Sequence, residues 1–525
     1  MNNPTRTFLS VAALATFSAL CTWSGGDVQA QAPTSTLDGK QDHGTDLANI
    51  MLLAKEGNAD AQAKLGGSYF NGIGVARDLP QAAAWLRKAA EQGHADAQVD
   101  LGQLYLYGAG VPKDLKQALA WYRKAAEQGN ANAQHNLGWA YTEGAGVAKD
   151  EQQALAWYRK AVEQGHAEAQ VSLGQLYIYG AGVAKDEEQA VVWFRKAVAQ
   201  DNANAQYNLG VAYFQGTGVA KDEQQAVAWY RKAAKQGYPP AQYNLGWSYA
   251  KGAGVDKDEQ EALNWYRKAA AQGNVDAEYN LGVAYFEGSG VVQDRQQAVA
   301  WFRKAAAQGL APAQYNLGWA YANRSGVGRD DRQAADWYHK AAEQGYSPAQ
   351  YNLSLAYFQG IGVTRDVRQA VSWYLKAAEQ GNASAQLSLG LAYFQGTGIG
   401  KDRQQAAAWY SKAAEQGNPV SQASLGWMYA NGLGVVKDEQ KAINWYRKAA
   451  EQGDEEGQFH LGRAYLNGSG VEKDEQLAFF WLGLSAARGS SPARHTLPAV
   501  EARLTARQKS KIKADVDAWK PVSQP

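Results

Sequence analysis

The stretch Ala241-Gln242-Tyr243-Asn244-Leu245-Gly246-Trp247-Ser248-Tyr249 decides the fold, because it is one of twelve variants of a single 36-residue theme. Each variant is closed by a turn such as Gly72-Ile73-Gly74-Val75 and answered by a second helical run around a tryptophan. Trp85, Trp121, Trp157, Trp193, Trp229, Trp265, Trp301, Trp337, Trp373, Trp409, Trp445 and Trp481 follow one another at intervals of 36 without an insertion. A fixed period of this length, carried over residues 58–489, marks an array in which each unit buries its apolar face against its neighbours. At 525 residues the chain exceeds the roughly 250–300 that one core supports. A repeat array resolves that mismatch.

Each unit reads as helix-turn-helix. In the first helix Ala61, Leu65 and Tyr69 fall at i, i+4 and i+8, one apolar stripe with Gly66 beside it. Glycine inside a helix costs about 1 kcal/mol against alanine. Its return in every unit but one (Ser354) predicts a neighbouring group too close for a Cβ. The second turn glycine is present in all twelve units, and the first in all but one, where Arg324 stands. Asp78, Asp114, Asp150 and their equivalents open the second helix, usually with glutamine three residues on (Gln81, Gln117, Gln153), the spacing of a capping box. Ala82, Trp85 and Ala89 are the expected buried stripe, and Gly93 and its equivalents stop the helix, with Asp201 the exception. Pro240, Pro312 and Pro348 fall in the first turn of the next helix, where proline is tolerated. The fold class is therefore all-α, a solenoid of twelve 36-residue repeats.

The ends differ from the middle. Arg6, the apolar run Phe8 to Leu20 and the small-residue site Val28-Gln29-Ala30 read as a signal peptide over 1–30, cleaved after Ala30. A lipid anchor through Cys21 would need a small residue where Leu20 stands. The apolar run is too short for a membrane span, and no later segment could make one. An exported chain, periplasmic or secreted, follows. Residues 31–44 are an expected disordered linker and 45–57 an N-terminal capping half-repeat. Residues 490–525 are expected C-terminal capping helices, including a charged helix over about 505–517 opened by Thr505-Ala506-Arg507-Gln508.

Composition removes several functions. Lys+Arg number 52 against 51 Asp+Glu, so the basic footprint of a nucleic-acid or anionic-membrane binder is missing. Cys21 is the only cysteine, and cleavage removes it, together with thiol chemistry, disulfides and cysteine-based zinc sites. Among His43, His94, His135, His166, His339, His460 and His495 no pair has metal-ligand spacing. The Gly-x-Gly turn joins two helices and repeats twelve times, so it is a helix turn and not a phosphate cradle. No catalytic constellation departs from the repeat, and no cofactor or metal is expected. The Arg-Lys column (Arg123-Lys124, Arg159-Lys160), with Glu127 and Glu163 three or four residues on, predicts exposed ion pairs.

Ala-x-Leu-Gly-x-x-Tyr, the Gly-x-Gly-Val-x-Lys-Asp turn and Ala-x-x-Trp-(Tyr/Phe)-Arg-Lys-Ala-Ala-Glu-Gln-Gly together resemble the Sel-one-like repeat (SLR) family, relatives of tetratricopeptide repeats. The resemblance covers 432 of 525 residues. It implies a right-handed superhelix that scaffolds protein complexes, often in the bacterial envelope. A cysteine-rich branch of that family is excluded by the missing cysteines.

The resemblance also implies where ligands would touch. The tetratricopeptide concave face uses positions two and one before the leucine of Leu-Gly, and two, five and six after it. The minus-two column holds Tyr207, Tyr243, Tyr279, Tyr315 and Tyr351, and the minus-one column Asn208, Asn244, Asn280, Asn316 and Asn352. The plus-two column holds Trp139, Trp247, Trp319 and Trp427. Where it has tryptophan, plus-five is small (Thr142, Ala250, Ala322, Ala430), and where it has valine or leucine, plus-five is phenylalanine (Phe214, Phe286, Phe358, Phe394). Volume is being exchanged between side chains that touch. Two readings stand: these aromatics pack successive first helices together, or they form an aromatic-and-amide groove for a partner. The second makes the chain a non-enzymatic scaffold for one or more proteins. An envelope carbohydrate-binding protein, with Tyr and Trp stacking on peptidoglycan or exopolysaccharide, is the alternative.

Overall fold

The computed structural model describes residues 43–522. The expected signal peptide and residues 31–42 of the expected linker lie outside the described residues, whereas His43 and Gly44 already belong to the helix His43–Lys55. Among the described residues there are twenty-seven helices and no strand. Two compact units divide them. One runs to Ala277 and includes Ser289–Val291, and the other comprises Glu278–Gly288 and the chain from Val292 onward. Within each unit, helices adjacent in sequence pack on each other.

The second repeat shows why the sequence folds this way. Its first helix, Ala95–Tyr107, buries Ala97, Leu101 and Leu104, and its second, Leu115–Glu127, buries Ala118, Tyr122 and Ala125. Alanines bring the backbones close, and the few large side chains contribute about 1.5–3 kcal/mol each on burial. Gly102 faces Tyr122, and a Cβ there would lie 2.5 Å from the ring's Cε1. The close neighbour expected from the helical glycines is thus a large side chain of the same repeat's second helix, an aromatic ring in most repeats and Leu86 or Leu482 in the first and last.

The buried stripe of the second helix keeps its expected alanines but holds Leu86 where Trp85 was expected. Ala82, Leu86 and Ala89 are buried, whereas Trp85 is half-buried. The tryptophans serve the joint between repeats: Trp121 packs against the core formed by Leu86, Ala97 and Leu104. In the first eleven repeats a face of the tryptophan is covered by the lysine three residues on, as with Lys124 Nζ 4.1 Å from the Trp121 ring centroid, whereas Trp481 is followed there by Leu484.

The turns explain the unequal glycines. Gly108 (φ 73°) and Gly110 (φ 72°) both occupy the left-handed region. A Cβ on Gly110 would also lie 2.2 Å from the carbonyl oxygen of Leu79, in the preceding repeat's second helix. The first turn glycine meets only the dihedral requirement, so Arg324 can take that place at φ 56°.

Asp114 Oδ1 caps the second helix by accepting from Lys116 N–H and Gln117 N–H, both at 3.0 Å. The reciprocal glutamine-to-backbone bond of a full capping box is made only at Thr505–Gln508 among the described caps. At three first-helix starts Tyr238, Leu310 and Tyr346 provide no side-chain cap, and there proline occupies the first or second helical position. Proline presets φ and removes one N–H that would otherwise need a partner.

A buried glutamine ladder also joins the helices. Gln98 donates from Nε2 to Ala90 O (3.0 Å), at the end of the preceding second helix, and accepts at Oε1 from Gln128 Nε2 (2.8 Å). Gln350 does the same with Ala342 O (3.2 Å) and Gln380 Nε2 (2.7 Å). The ladder stops at Gln458, whose Oε1 is buried without a partner because Arg488 stands where the next glutamine would be.

At the N-terminal end Ile50 and Ala54 of His43–Lys55 pack on Ala61 and Leu65. At the other end Val500 on the helix Ser491–Glu501, Leu504 in the turn after it and Ile512 on the helix Ala506–Ala518 close over Phe459, Phe479 and Leu482. No helix among the described residues is long and apolar enough to cross a membrane.

Candidate interaction surface

The columns of interest lie on the first helices, and the structure treats them unequally. The minus-two tyrosines turn inward against the second helix. Tyr207 meets Tyr230 (centroids 6.0 Å apart), Tyr243 meets Tyr266 (5.9 Å), Tyr279 meets Phe302 (5.9 Å), Tyr315 meets Tyr338 (5.8 Å) and Tyr351 meets Tyr374 (6.0 Å). Tyr243 and Tyr279 are buried, and Tyr207, Tyr315 and Tyr351 half-buried. Burial pushes the Tyr279 hydroxyl up to about 12 and raises those of Tyr315 and Tyr351.

The minus-one asparagines explain why tyrosine and asparagine recur together. Asn316 donates from Nδ2 to the Tyr279 hydroxyl at 3.4 Å, so an amide of one repeat reaches the phenol of the one before. Asn352 hydrogen-bonds Tyr315 in the same sense. Asn208 instead bonds within its own helix, to Asn204 O at 2.8 Å. Asn244 and Asn316 are buried, whereas Asn208, Asn280 and Asn352 are half-buried. Much of the polar capacity of these two columns is therefore used inside the array.

The tryptophans are less covered. Trp139, Trp247 and Trp319 are half-buried and Trp427 is exposed. Each of the last three meets a phenylalanine from the preceding repeat edge to face: Phe214–Trp247 (5.6 Å, 82°), Phe286–Trp319 (5.6 Å, 81°) and Phe394–Trp427 (5.8 Å, 75°). The volume exchange seen between positions plus-two and plus-five thus also joins neighbouring repeats, and it leaves aromatic ledges on the first-helix face.

Elsewhere the polar side chains are consumed locally. The ion pairs expected between Arg123-Lys124 and Glu127, and between Arg159-Lys160 and Glu163, are not formed, because Lys124 and Lys160 lie over Trp121 and Trp157. Arginines of the same column donate instead to tyrosines of the next repeat, as Arg231 does to the Tyr249 hydroxyl at 3.1 Å. His94 and His166 replace asparagine as helix caps, accepting at Nδ1 from Ala97 N–H (3.2 Å) and Ala169 N–H (3.1 Å). His166 stacks on His135, which burial and that neighbour pull down to about 3. Among the described residues no cluster of three or more His, Cys, Asp or Glu could hold a metal ion.

The Sel1 repeat pattern matches twelve consecutive blocks of 36 residues, from 59–94 to 455–490. The crystal structure of a protective antigen present in uropathogenic Escherichia coli strains, displaying an SLR fold, is 38% identical over 84% of this chain and 98% of that one, with a TM-score of 0.66. A Sel1 repeat protein from Oxalobacter formigenes is 36% identical over 59% of this chain and 89% of its own, with a TM-score of 0.44. No curated protein matches the sequence.

Proposed function

The chain belongs to the Sel1 repeat family, whose members are generally protein-interaction scaffolds, and from that premise we propose that it is a non-enzymatic scaffold holding partner proteins along the face of its first helices. One observation carries this reading. Many large and polar side chains of the repeat are taken up by neighbours, yet the Phe–Trp ledges of the first helices, at Trp247 in one unit and at Trp319 and Trp427 in the other, keep aromatic surface open to solvent. Aromatic side chains offer rigid area with little entropy to lose, and they dominate contact energy in protein interfaces. Tyr207, Tyr315 and Tyr351, with Asn208, Asn280 and Asn352, are partly open positions of the same first helices, and Trp139 continues the tryptophan column. Tyr243, Tyr279, Asn244 and Asn316 support the face from beneath.

Export belongs to the same proposal. The apolar run Phe8 to Leu20 and the site before Ala30 support a cleaved signal peptide over 1–30 and a linker that ends before the helix at His43, with the array in the periplasm or outside the cell. Likeness to a protein described as a protective antigen supports that location. Residues 45–57 and 490–525 then serve as caps that keep the terminal repeats soluble. Affinity capture from an envelope extract tests the reading. Mature chain is compared with a Trp247→Ala, Trp319→Ala variant whose helicity is unchanged. Loss of the captured proteins supports the first-helix face, and recovery of the same set with the variant sinks it.

A further inference from the structure

The first-helix face is not uniform. Between the first helices of the tenth, eleventh and twelfth repeats, Ala383–Gln395, Pro419–Asn431 and Glu455–Asn467, it opens into a cleft of about 370 Å³. Its apolar wall is Leu391, Phe394, Val420 and Trp427, and Asp454 and Glu456 stand at its other end. Leu391 is 44% exposed, Val420 48% and Trp427 36%, so three large apolar side chains on one patch face water. Contiguous apolar exposure of that kind marks an interaction site more often than scattered residues do.

The cleft has a definite origin. In the fifth to ninth repeats the minus-two position carries Tyr207, Tyr243, Tyr279, Tyr315 and Tyr351, whose rings fill the space against the second helix. The eleventh repeat has Ala423 there, followed by Ser424 in place of asparagine, and both line the cleft. Without that tyrosine, Tyr446 is stacked by His460 from the twelfth repeat, at 4.9 Å and 17°. Val420 occupies a helix-start position that is acidic in five other repeats, at Asp60, Asp96, Glu168, Asp276 and Glu456. Two departures from the repeat, a missing ring and an aliphatic residue at an exposed helix start, therefore coincide in one place.

We propose that this cleft docks a segment of a partner protein that presents an aliphatic residue next to a lysine or arginine. The inference deepens the scaffold reading and rests on it. Asp454 and Glu456 are the acidic residues of the lining, Glu456 Oε2 lying 3.5 Å from His460 Nε2, and His460 adds no positive charge near neutral pH because burial holds its imidazole down at about 4. Arg463 lies over the Phe459 ring and lines a smaller, adjoining recess that shares Trp427 and His460 with the cleft. Asp454 spends one oxygen on the N–H of Gly457 at 2.7 Å, and burial raises its carboxyl, with the neighbouring Glu456 and Glu455 adding to the rise. A lysine or arginine stem would lie along Trp427 and Phe394, whose π faces attract a cation, and its head would reach the two carboxylates. The neighbouring aliphatic residue would cover Leu391 and Val420. An acidic segment would meet like charge, offset by no cation of the lining and only by the neutral donors Gln395, Tyr410 and Ser424.

Fluorescence anisotropy with defined peptides tests this on the mature chain. The probe is a fluorescein-labelled hexapeptide of glycine with leucine and lysine at its centre, compared with versions carrying leucine and glutamate, leucine and norleucine, or glycine and lysine. The leucine-lysine probe should bind saturably, at least tenfold more tightly than each of the others. Asp454→Asn with Glu456→Gln keeps a capping side chain at 454, since asparagine caps other first helices, and should weaken the probe at least tenfold. Ala423→Tyr, which restores the ring of five other repeats, should abolish binding, as should Val420→Asp. Circular dichroism checks that each variant is folded. Equal binding of the glutamate peptide, or of the probe to all three variants, overturns the proposal. So does competition by tetramethylammonium alone with no dependence on the leucine, or finding that Ala423→Tyr removes binding of a peptidoglycan fragment or self-association instead. If the probe fails while Trp247→Ala with Trp319→Ala still empties the capture experiment, the cleft assignment falls and the scaffold stands. If capture is unaffected as well, both fall.

Discussion

Phe214 and Trp247 come from successive repeats and meet edge to face, with ring centroids 5.6 Å apart and planes at 82°. The pair ties one first helix to the next while leaving part of the indole in water. Its two members should therefore be energetically coupled. Phe214→Ala and Trp247→Ala, made singly and together, are expected to show a coupling of about 0.5–1.5 kcal/mol in urea denaturation, the range for aromatic pairs. Additive effects would mean that the rings are neighbours without being partners.

The two turn glycines should answer differently to substitution. Gly110→Ala forces a left-handed alanine whose Cβ meets the Leu79 carbonyl, and the expected loss is about 3 kcal/mol. Gly108→Asn meets only the dihedral cost, since asparagine tolerates that region, and should lose under about 1 kcal/mol. Arg324→Gly should gain up to about 1 kcal/mol by relieving the one left-handed arginine. Thermal or urea midpoints in that order support the account, and equal losses at 108 and 110 contradict it.

Gln350→Met should cost about 1–3 kcal/mol, because two hydrogen bonds of a buried joint are lost, Ala342 O keeping its backbone bond from the Gly345 N–H (3.0 Å) and Gln380 Nε2 its long bond to Lys376 O (3.4 Å). Gln458→Met breaks only the bond to Ala450 O (3.2 Å), since its Oε1 has no partner to lose, and should cost less. Hydrogen exchange of the flanking helices reads the two effects separately, which matters because repeat arrays need not unfold in one step. Equal exchange in both variants would show that the ladder's second bond carries no weight.

His135 gives the array a local sensitivity to acid. Burial and the stacked His166 hold its imidazole at about 3, against an ordinary 6.5. The unfolded chain therefore takes up a proton below pH 6.5 that the folded chain refuses until about pH 3, so stability falls across that window. By pH 5 the loss is about 2 kcal/mol. His135→Tyr installs the residue found at this position in the fifth to ninth repeats and removes the term. The stability difference between variant and parent should widen by about 2 kcal/mol from pH 7.5 to pH 5. Parallel profiles over that range would show that His135 is not the titrating group.

Period, helix ends and turns could be read directly because each depends on residues a few places apart. Asp114 caps the helix that it precedes, and the Gly108 and Gly110 dihedrals belong to one turn. What escaped depends on distant partners. Trp85 and Leu86 are adjacent and both apolar, and hydrophobicity does not say which faces the same repeat and which the joint. Lys124 could meet Glu127 or the Trp121 ring, and the ring, one helical turn away, holds the lysine stem as well as its charge. Gln98 is polar and recurrent, which suggests surface, but its partner Gln128 lies thirty residues on. The candidate columns show the same limit. Tyr243 is aromatic at a position open to ligands in related folds, yet Tyr266 takes its ring. Ala423 looks unremarkable in a list of residues and becomes informative only where the missing ring leaves a cleft.

The aromatic joints also limit how such a chain can be shortened or lengthened by recombination. Every junction is built on the same 36-residue step, so deleting whole repeats preserves the backbone register, but not every deletion rejoins matching side chains. Removing residues 311–418 would bring Phe286 opposite Trp427 and restore an edge-to-face pair. Removing only 311–346 would set Phe286 against Leu355, like the junction where Leu391 replaces tryptophan and Phe358 is left 37% exposed. Genes of this kind can gain or lose length in blocks, and the side chains at the cut decide which block sizes leave a sound seam.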